Sequence, residues 1–190
     1  MLFKKGAMFG LDARISLAIF GALSVISGAA LHSAIEESSI VSLVTELDEV
    51  SKAIQAYILD TGEDLSKPTP STHKYEELIV KPSGITGWRG PYFPLKEGIH
   101  AQGYSVNHPV YGNLLVRGLN HDLGGANYSN GCTVAPCYYW LQVNNIPEDL
   151  VSEIDVYVDD ATSIDSGSVR VIDIDKRSLF YRGSLTLFQP

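Results

Sequence analysis

The stretch ISLAIFGALSVISGAALHSAI, from Ile15 to Ile35, contains twenty-one consecutive residues without a formal charge. As an α-helix with a rise of about 1.5 Å per residue it would be about 31 Å long, close to the ~30 Å hydrocarbon thickness of a bilayer. Lys4 and Lys5 precede the stretch and acidic residues follow it, so the leader is expected to face the cytoplasm. The stretch therefore predicts a helix that can span a membrane.

The apolar pattern continues beyond the uncharged stretch, at positions spaced mostly by three or four residues: Ile40, Val44, Leu47, Ile54 and Ile58. A cleaved secretory signal could be cut after Gly28-Ala29-Ala30, but the chain after such a cut would have no reason to stay helical. An ordinary one-span anchor is the other alternative. The pattern favours one helix from near Phe9 to near Leu59, stopped by Thr61-Gly62.

A short basic leader before Ala7 and the step AIFG at residues 18–21 resemble the precursors of the type IV pilin and type II secretion pseudopilin superfamily. Aligning on this step makes Met8 the first mature residue and puts Asp12 where the family normally has glutamate. The resemblance implies cleavage by a prepilin peptidase between Ala7 and Met8, followed by N-methylation. Two features depart from the family pattern: the acid is aspartate, and Ala7 rather than Gly6 precedes the cut. Cleavage after Gly6 would make Asp12 the sixth mature residue, one position later than the acid of the family.

Asp12 is an acidic residue close to the predicted membrane span, where a charged side chain is energetically unfavourable. An ionised carboxylate at membrane depth costs ~2.5 to 3.5 kcal/mol, so such a group usually has a partner. The resemblance implies that Asp12 acts in assembly, by meeting the free amine of Met8 on a neighbouring subunit. The alternative is that Asp12 caps the helix before Ala13, while Arg14 reaches lipid head groups.

The expected domain organisation is a leader at residues 1–7, a membrane and filament-core helix at 8–35, an amphipathic half of the same helix at 36–60, and a globular domain at 61–190. The chain has 190 residues and a net charge of −8, which disfavours nucleic acid as a partner. The length after the helix suits one globular domain.

The two cysteines, Cys132 and Cys137, lie only five positions apart. Because an exported domain meets an oxidising compartment, we expect a disulfide between them that stabilises a local turn by about 2 kcal/mol. Free thiols remain an alternative. A zinc site would need two more ligands, and none of the histidines are paired at ligand spacing, so no metal is expected.

The segment GWRGPY, from Gly87 to Tyr92, resembles a G-W-x-G-P-Y segment that follows the long helix in many pseudopilins and minor pilins. Its rings are expected to pack on the helix, although a ligand platform is an alternative. Strands are predicted at Val110–Leu119, Tyr138–Val143, Val169–Ile174 and Leu179–Leu187, with a turn at Asp173–Arg177, a helical turn at 75–80 and a short helix at 147–154. The predicted fold class is α+β, with the long helix packed on a small antiparallel sheet as in pilins.

Four aspartates crowd one late segment, which we expect to be a solvated acidic loop: Asp155, Asp159, Asp160 and Asp165. Calcium binding is the alternative, since major pseudopilins have a calcium site in a late loop, but its ligands do not map onto these residues. No nucleophile elbow, phosphate loop or H-E-x-x-H motif occurs. The chain is therefore expected to be neither an enzyme nor a cofactor-binding protein.

The resemblance implies a structural subunit of a type IV pilus-like filament: a pilin, a minor pilin or a secretion pseudopilin. Its partners would be copies of itself, other pilins, a prepilin peptidase and inner-membrane assembly machinery. It would reside in a bacterial inner membrane before assembly and in a periplasmic or cell-surface filament afterwards, with roles in secretion or adhesion. The alternative is a single-span or secreted binding domain, such as an adhesin, that does not polymerise.

Overall fold

The computed structural model describes residues 6–94, 102–123, 130–160, 165–172 and 178–190, with the backbone alone at residues 6–9 and 11. The described residues form two α-helices, six β-strands and a 3-10 turn at Tyr75–Leu78. The helices are α1 at Gly6–Thr61 and α2 at Glu148–Asp159; the strands are β1 at Thr72–His73, β2 at Ser105–Asn107, β3 at Asn113–Asn120, β4 at Cys137–Val143, β5 at Val169–Ile172 and β6 at Ser178–Leu185.

The long helix α1 is confirmed, and it ends at the predicted stop signal. Gly62 follows its last residue with φ = 72°, a left-handed conformation that glycine adopts without steric cost. The amide of Gly62 donates to the carbonyl of Ile58 at 2.8 Å, which satisfies one of the last carbonyls of the helix. The chain divides into two compact units, Met1–Val41 and Ser42–Pro190, so α1 contributes to both.

The second unit contains an open, wholly antiparallel sheet in the order β1-β3-β4-β6-β5, in which β2 also pairs with β3. The long pairing of β3 with β4 places Val116 opposite Leu141. Strands β5 and β6 pair with Val171 opposite Leu179, which makes the last two strands the predicted hairpin. The predicted turn at residues 173–177 lies outside the described residues.

The part of α1 that belongs to the second unit packs on one face of this sheet. Leu47, Val50, Ile54 and Tyr57 are fully buried, at the three- and four-residue spacing of one helix face. From β6, the hydroxyl of Tyr181 donates to Oδ1 of Asp48 on the helix at 2.6 Å. The α+β prediction is therefore confirmed, and the architecture is compatible with a pilin-like fold.

The opposite face of the sheet carries a second, smaller core, formed by Leu119, Leu123, Trp140 and Phe180. The guanidinium groups of Arg170 and Arg182 lie 5.5 and 6.0 Å from the Trp140 ring, within range of a cation–π interaction. Trp140 itself is completely buried. Loops and arginines thus cover the face of the sheet that the helix leaves open.

Several predicted boundaries differ from the structure, and two strands were not predicted. Strand β3 begins at Asn113 rather than at Val110, because the residues before it form a turn in which His108 donates to the Gly112 carbonyl at 3.0 Å. Helix α2 continues past residue 154 to Asp159. Strands β1 and β2 were not predicted, since they are short and form only by pairing with β3.

Candidate functional site

The first unit presents an apolar helix whose described side chains are largely unpacked. From Ile15 to Ile35 the large apolar side chains are all exposed, with Leu17 and Val25 more than 70% accessible; they are Ile15, Leu17, Ile19, Phe20, Leu23, Val25, Ile26, Leu31 and Ile35. Each would gain about 1.5 to 3 kcal/mol on full burial. Such a surface requires lipid or another protein around it.

The length and composition of this helix allow a membrane crossing. Between Asp12 and Thr61 it contains 18 residues with a mean hydropathy of 1.8, none of them buried. A signal sequence near an N-terminus meets the same criteria. By length and composition alone, the helix is therefore compatible with a membrane anchor attached to a globular domain.

The glycines of the first unit are not required by packing within the chain. A Cβ atom added at Gly10, Gly21 or Gly28 would meet nothing within 4 Å. Small residues allow the backbones of two helices to approach closely in a membrane. The glycines thus leave room on α1 for a second helix.

The predicted processing and assembly residues lie in the first turns of α1. Ala7 and Met8 have helical backbone, so the predicted cleavage position falls inside the helix as the uncut chain forms it. Asp12 lies six positions after the first helical residue and its side chain is exposed. It is therefore not the N-terminal cap of α1 in the uncut chain, which was the alternative role considered for it.

The segment from Gly87 to Tyr92 closes the C-terminal end of α1. Gly87 has φ = 81°, and a Cβ atom there would collide with the carbonyl oxygen of Asp60. The hydroxyl of Tyr92 donates to Oδ2 of Asp60 at 3.0 Å, and the indole nitrogen of Trp88 donates to the Glu77 carbonyl at 2.9 Å. These rings serve in packing, as expected, but at the end of the helix rather than along its side.

The predicted disulfide is present. Cys132 and Cys137 are bonded, with their Cα atoms 5.7 Å apart. The loop between them is held by Oδ1 of Asn120, which accepts from the amides of Thr133 and Val134 at 2.8 and 3.3 Å. The amide of Cys137 donates to Oε1 of Gln189 at 2.8 Å. The disulfide thus fixes a turn next to the C-terminal tail.

The acidic segment is only in part the solvated loop that the sequence predicted, because its first two aspartates lie on a helix. Asp155 and Asp159 belong to α2, and Asp155 is fully buried, with no hydrogen-bond partner for either carboxylate oxygen among the residues that the structure describes. Burial and the nearby charge of Asp159 raise the pKa of the Asp155 carboxyl. Asp159 accepts from the amides of Ser168 and Val169 at 2.7 and 2.8 Å. The buried position of Asp155 had no signal in the sequence beyond the 3.6-residue period of α2.

Within the described parts of the chain, no three His, Cys, Asp or Glu residues come together as a metal site. His73 is buried, whereas His32 is exposed on α1. His100 lies outside the described residues. Asp165 is exposed, and Asp160 ends α2 in a left-handed conformation with φ = 53°.

Two structurally important carboxylates were not identified from the sequence. Asp64, just after the helix stop, accepts from the Tyr139 hydroxyl at 2.7 Å and from the amides of Leu187 and Phe188 at 2.9 and 2.8 Å. It therefore binds the C-terminal tail to the central strand β4. A carboxylate that follows a helix stop is common, so the sequence offers no specific signal for this role.

The second is Glu46, whose Oε2 lies 3.0 Å from Nε2 of His108. Nδ1 of the same ring accepts from the amides of Val110 and Tyr111 at 3.1 and 3.0 Å. Because Nδ1 is an acceptor, Nε2 must carry the proton and donate it to Glu46. This contact ties the turn before β3 to α1 within the second unit.

Neither a protein-family model, nor a curated protein, nor a solved structure matches this chain.

Proposed function

We propose that this chain is a structural subunit of a type IV pilus-like filament, assembled through its N-terminal helix. The observation that carries the proposal is that one continuous helix combines an unburied apolar segment with a segment packed on an antiparallel sheet. In a filament subunit, the apolar segment of the helix lies in the membrane before assembly and in a helical bundle afterwards. The other segment stays packed on the globular domain throughout. The resemblance around Ala7 and residues 18–21 supports the same assignment.

In this proposal a prepilin peptidase cuts between Ala7 and Met8 and frees an amine on Met8. The amine carries a positive charge at neutral pH, since an ordinary α-amino group has a pKa of about 7.7 to 8.0. It pairs with the carboxylate of Asp12 on a neighbouring subunit and thereby fixes the axial register of adjacent helices. Copies of this chain and other pilins are the partners, and inner-membrane assembly machinery drives the process.

Three further features of the chain support the filament proposal. The exposed glycines on α1 leave space for close helix contact. Lys4 and Lys5 lie before the span, which favours a cytoplasmic leader and a domain on the periplasmic or outer side. An oxidising compartment on that side would maintain the disulfide between Cys132 and Cys137.

The proposal is tested by expressing the chain in a host with a prepilin peptidase and a pilus assembly system, and by isolating sheared filaments. Asp12→Ala should reduce the incorporated protein by about tenfold or more, because an interaction of about 1.4 kcal/mol is lost at every subunit contact. Asp12→Glu should restore assembly. Glu37→Gln, which removes an exposed acid elsewhere on α1, is the matched control and should assemble normally.

An unchanged filament yield for Asp12→Ala would contradict the role of Asp12. Protein that is absent from filaments in every variant, yet stable in the membrane, would favour the alternative of a single-span binding or adhesin domain.

A further inference from the structure

A pocket of about 300 Å³ lies in the second unit, between the segment that follows α1 and the residues around the 3-10 turn. Its charged and hydroxyl-bearing lining residues are Ser66, Lys74, Glu76, Glu77, Lys81 and Ser83. Both signs of charge therefore line one small space. The proposed filament role makes no use of any of these side chains.

The acidic part of the pocket is the carboxylate of Glu77, which hydrogen bonds hold in place. Glu77 is only 4% exposed, and its Oε2 accepts from the Tyr57 hydroxyl at 3.1 Å and from the Ser66 amide at 2.9 Å. Burial and the Glu77 charge raise the pKa of Tyr57, so its hydroxyl stays a donor. Among the described residues no donor reaches Oε1. Glu77 is thus held in place with one oxygen left for a ligand.

The second acid, Glu76, is placed differently. Its carboxylate lies against Gly103, where an added Cβ atom would collide with Oε2. The Glu76 amide also donates to the Gly103 carbonyl at 2.9 Å. Glu76 therefore serves to hold the segment around Gly103, and Glu77 is the better candidate to meet a ligand.

The basic part of the pocket consists of two lysines that have no carboxylate partner among the described residues. In the described parts of the molecule, neither Lys74 nor Lys81 forms an ion pair with a carboxylate, although Glu76 and Glu77 line the same pocket. Lys74 is fixed through its backbone, whose amide donates to the Ser66 carbonyl at 2.9 Å, while Lys81 is exposed at the rim. Two ammonium groups thus remain for an anionic group.

We propose that this pocket binds a small zwitterion, either a free amino acid or a short peptide. The ligand's ammonium group would bind Oε1 of Glu77, and its carboxylate would bind Lys74 and Lys81, with the hydroxyls of Ser66 and Ser83 completing the contacts. A simple anion would be repelled by Glu77 and a simple cation by the two lysines. The volume is at the lower end for ligand pockets, which favours a ligand of one or two residues.

The test uses the ¹⁵N-labelled full chain in detergent micelles, titrated with L-alanyl-L-alanine and, separately, with L-alanine. Saturable shifts of the Ser66 and Ser83 amide resonances are expected. Acetylating the amine or amidating the carboxylate of the dipeptide should each weaken binding by about fivefold or more, since each removes one charge contact worth about 1 kcal/mol. Tighter binding of alanine than of the dipeptide would identify a free amino acid as the ligand, and the reverse would identify a peptide.

Lys81→Ala is the main variant because Lys81 is exposed and its loss should leave the fold intact. It should weaken binding of the dipeptide by about fivefold. Lys52→Ala, which removes an exposed lysine from α1, is the matched control and should bind normally. Glu77→Gln should weaken binding of the dipeptide but hardly change that of its N-acetylated form. Equal binding of the blocked and unblocked dipeptides, or no saturable shift at about 10 mM, would overturn the proposal.

Discussion

Nε2 of His73 lies so close to Gly118 that a Cβ atom added at Gly118 would collide with it. On the other side of the ring, Nδ1 lies 2.8 Å from the Leu65 carbonyl and therefore carries the proton. Nε2 is buried and finds no hydrogen-bond partner in the described part of the chain. The ring also packs edge-on against Tyr139, with centroids 4.8 Å apart. The histidine, which belongs to β1, is thus held in its neutral form against β3 and β4.

Stability should fall in mild acid because of His73. Burial lowers its pKa from 6.5 to about 4, so the unfolded chain takes up a proton at a higher pH than the folded one. Above pH 6.5 His73 is neutral in both states and has no effect on how stability changes with pH. As the pH falls from 6.5 to about 4, the free energy of unfolding should decrease by about 3 kcal/mol at most. Chemical unfolding of the full chain in detergent across this range checks the prediction.

His73→Gln is the control for this effect. It should be less stable than the parent at neutral pH, yet its stability should change less between pH 6.5 and 4. A parent chain whose unfolding free energy stays flat across that window would contradict a buried neutral His73.

Gly118→Ala should destabilise the domain by about 1 to 3 kcal/mol, because the new methyl group needs space that His73 fills. The matched test is a double-mutant cycle with His73→Ala, which removes the ring. Gly118→Ala should then cost much less than in the parent. Costs that simply add would show that the two residues do not interact.

Asp64→Ala should release the C-terminal tail. The substitution removes the acceptor of the Leu187 and Phe188 amides and of the Tyr139 hydroxyl. We expect a loss of about 2 to 4 kcal/mol and faster hydrogen exchange at those two amides. Glu63→Ala, at the exposed neighbouring acid, should change neither measurement. Slow exchange that persists in Asp64→Ala would contradict the assigned role.

Asp155→Asn should raise the melting temperature at pH 7 and have less effect at pH 4. A carboxyl whose folded pKa is raised stabilises the fold only while it is protonated, and that contribution disappears as the pH rises through the folded pKa. Asp149→Asn, at an exposed acid on the same helix, is the charge-matched control. A lower melting temperature for Asp155→Asn at pH 7 would show that the ionised carboxylate has a stabilising partner.

The elements that depend on a repeated local pattern were predictable from the sequence. The apolar period and the stop at Gly62 located α1, and the β-branched and aromatic runs located the four longer strands. Strands β1 and β2 could not be found in this way, because His73 and Ser105 take strand geometry only through pairing with β3. The disulfide followed from two cysteines five positions apart in a domain that we expected to be exported.

The side chains that matter inside the domain were much less predictable. In the sequence, Asp155 cannot be distinguished from the other acids of its segment, because it is buried only by the packing of α2. Likewise, Glu77 and Lys74 come to line one pocket with Lys81 because the chain turns tightly after His73, which no residue period encodes. Burial and long-range hydrogen bonds decide these roles, and both depend on the tertiary fold.

Whether the chain is a processed filament subunit is decided by the N-terminal mass and sequence of the mature protein from its native membrane. We expect a chain that begins at Met8 with an N-methylated amine, four residues before Asp12. A start near Leu31 would identify a cleaved signal peptide, and an uncut Met1 would identify a plain membrane anchor. Either of those two results would contradict the proposed function.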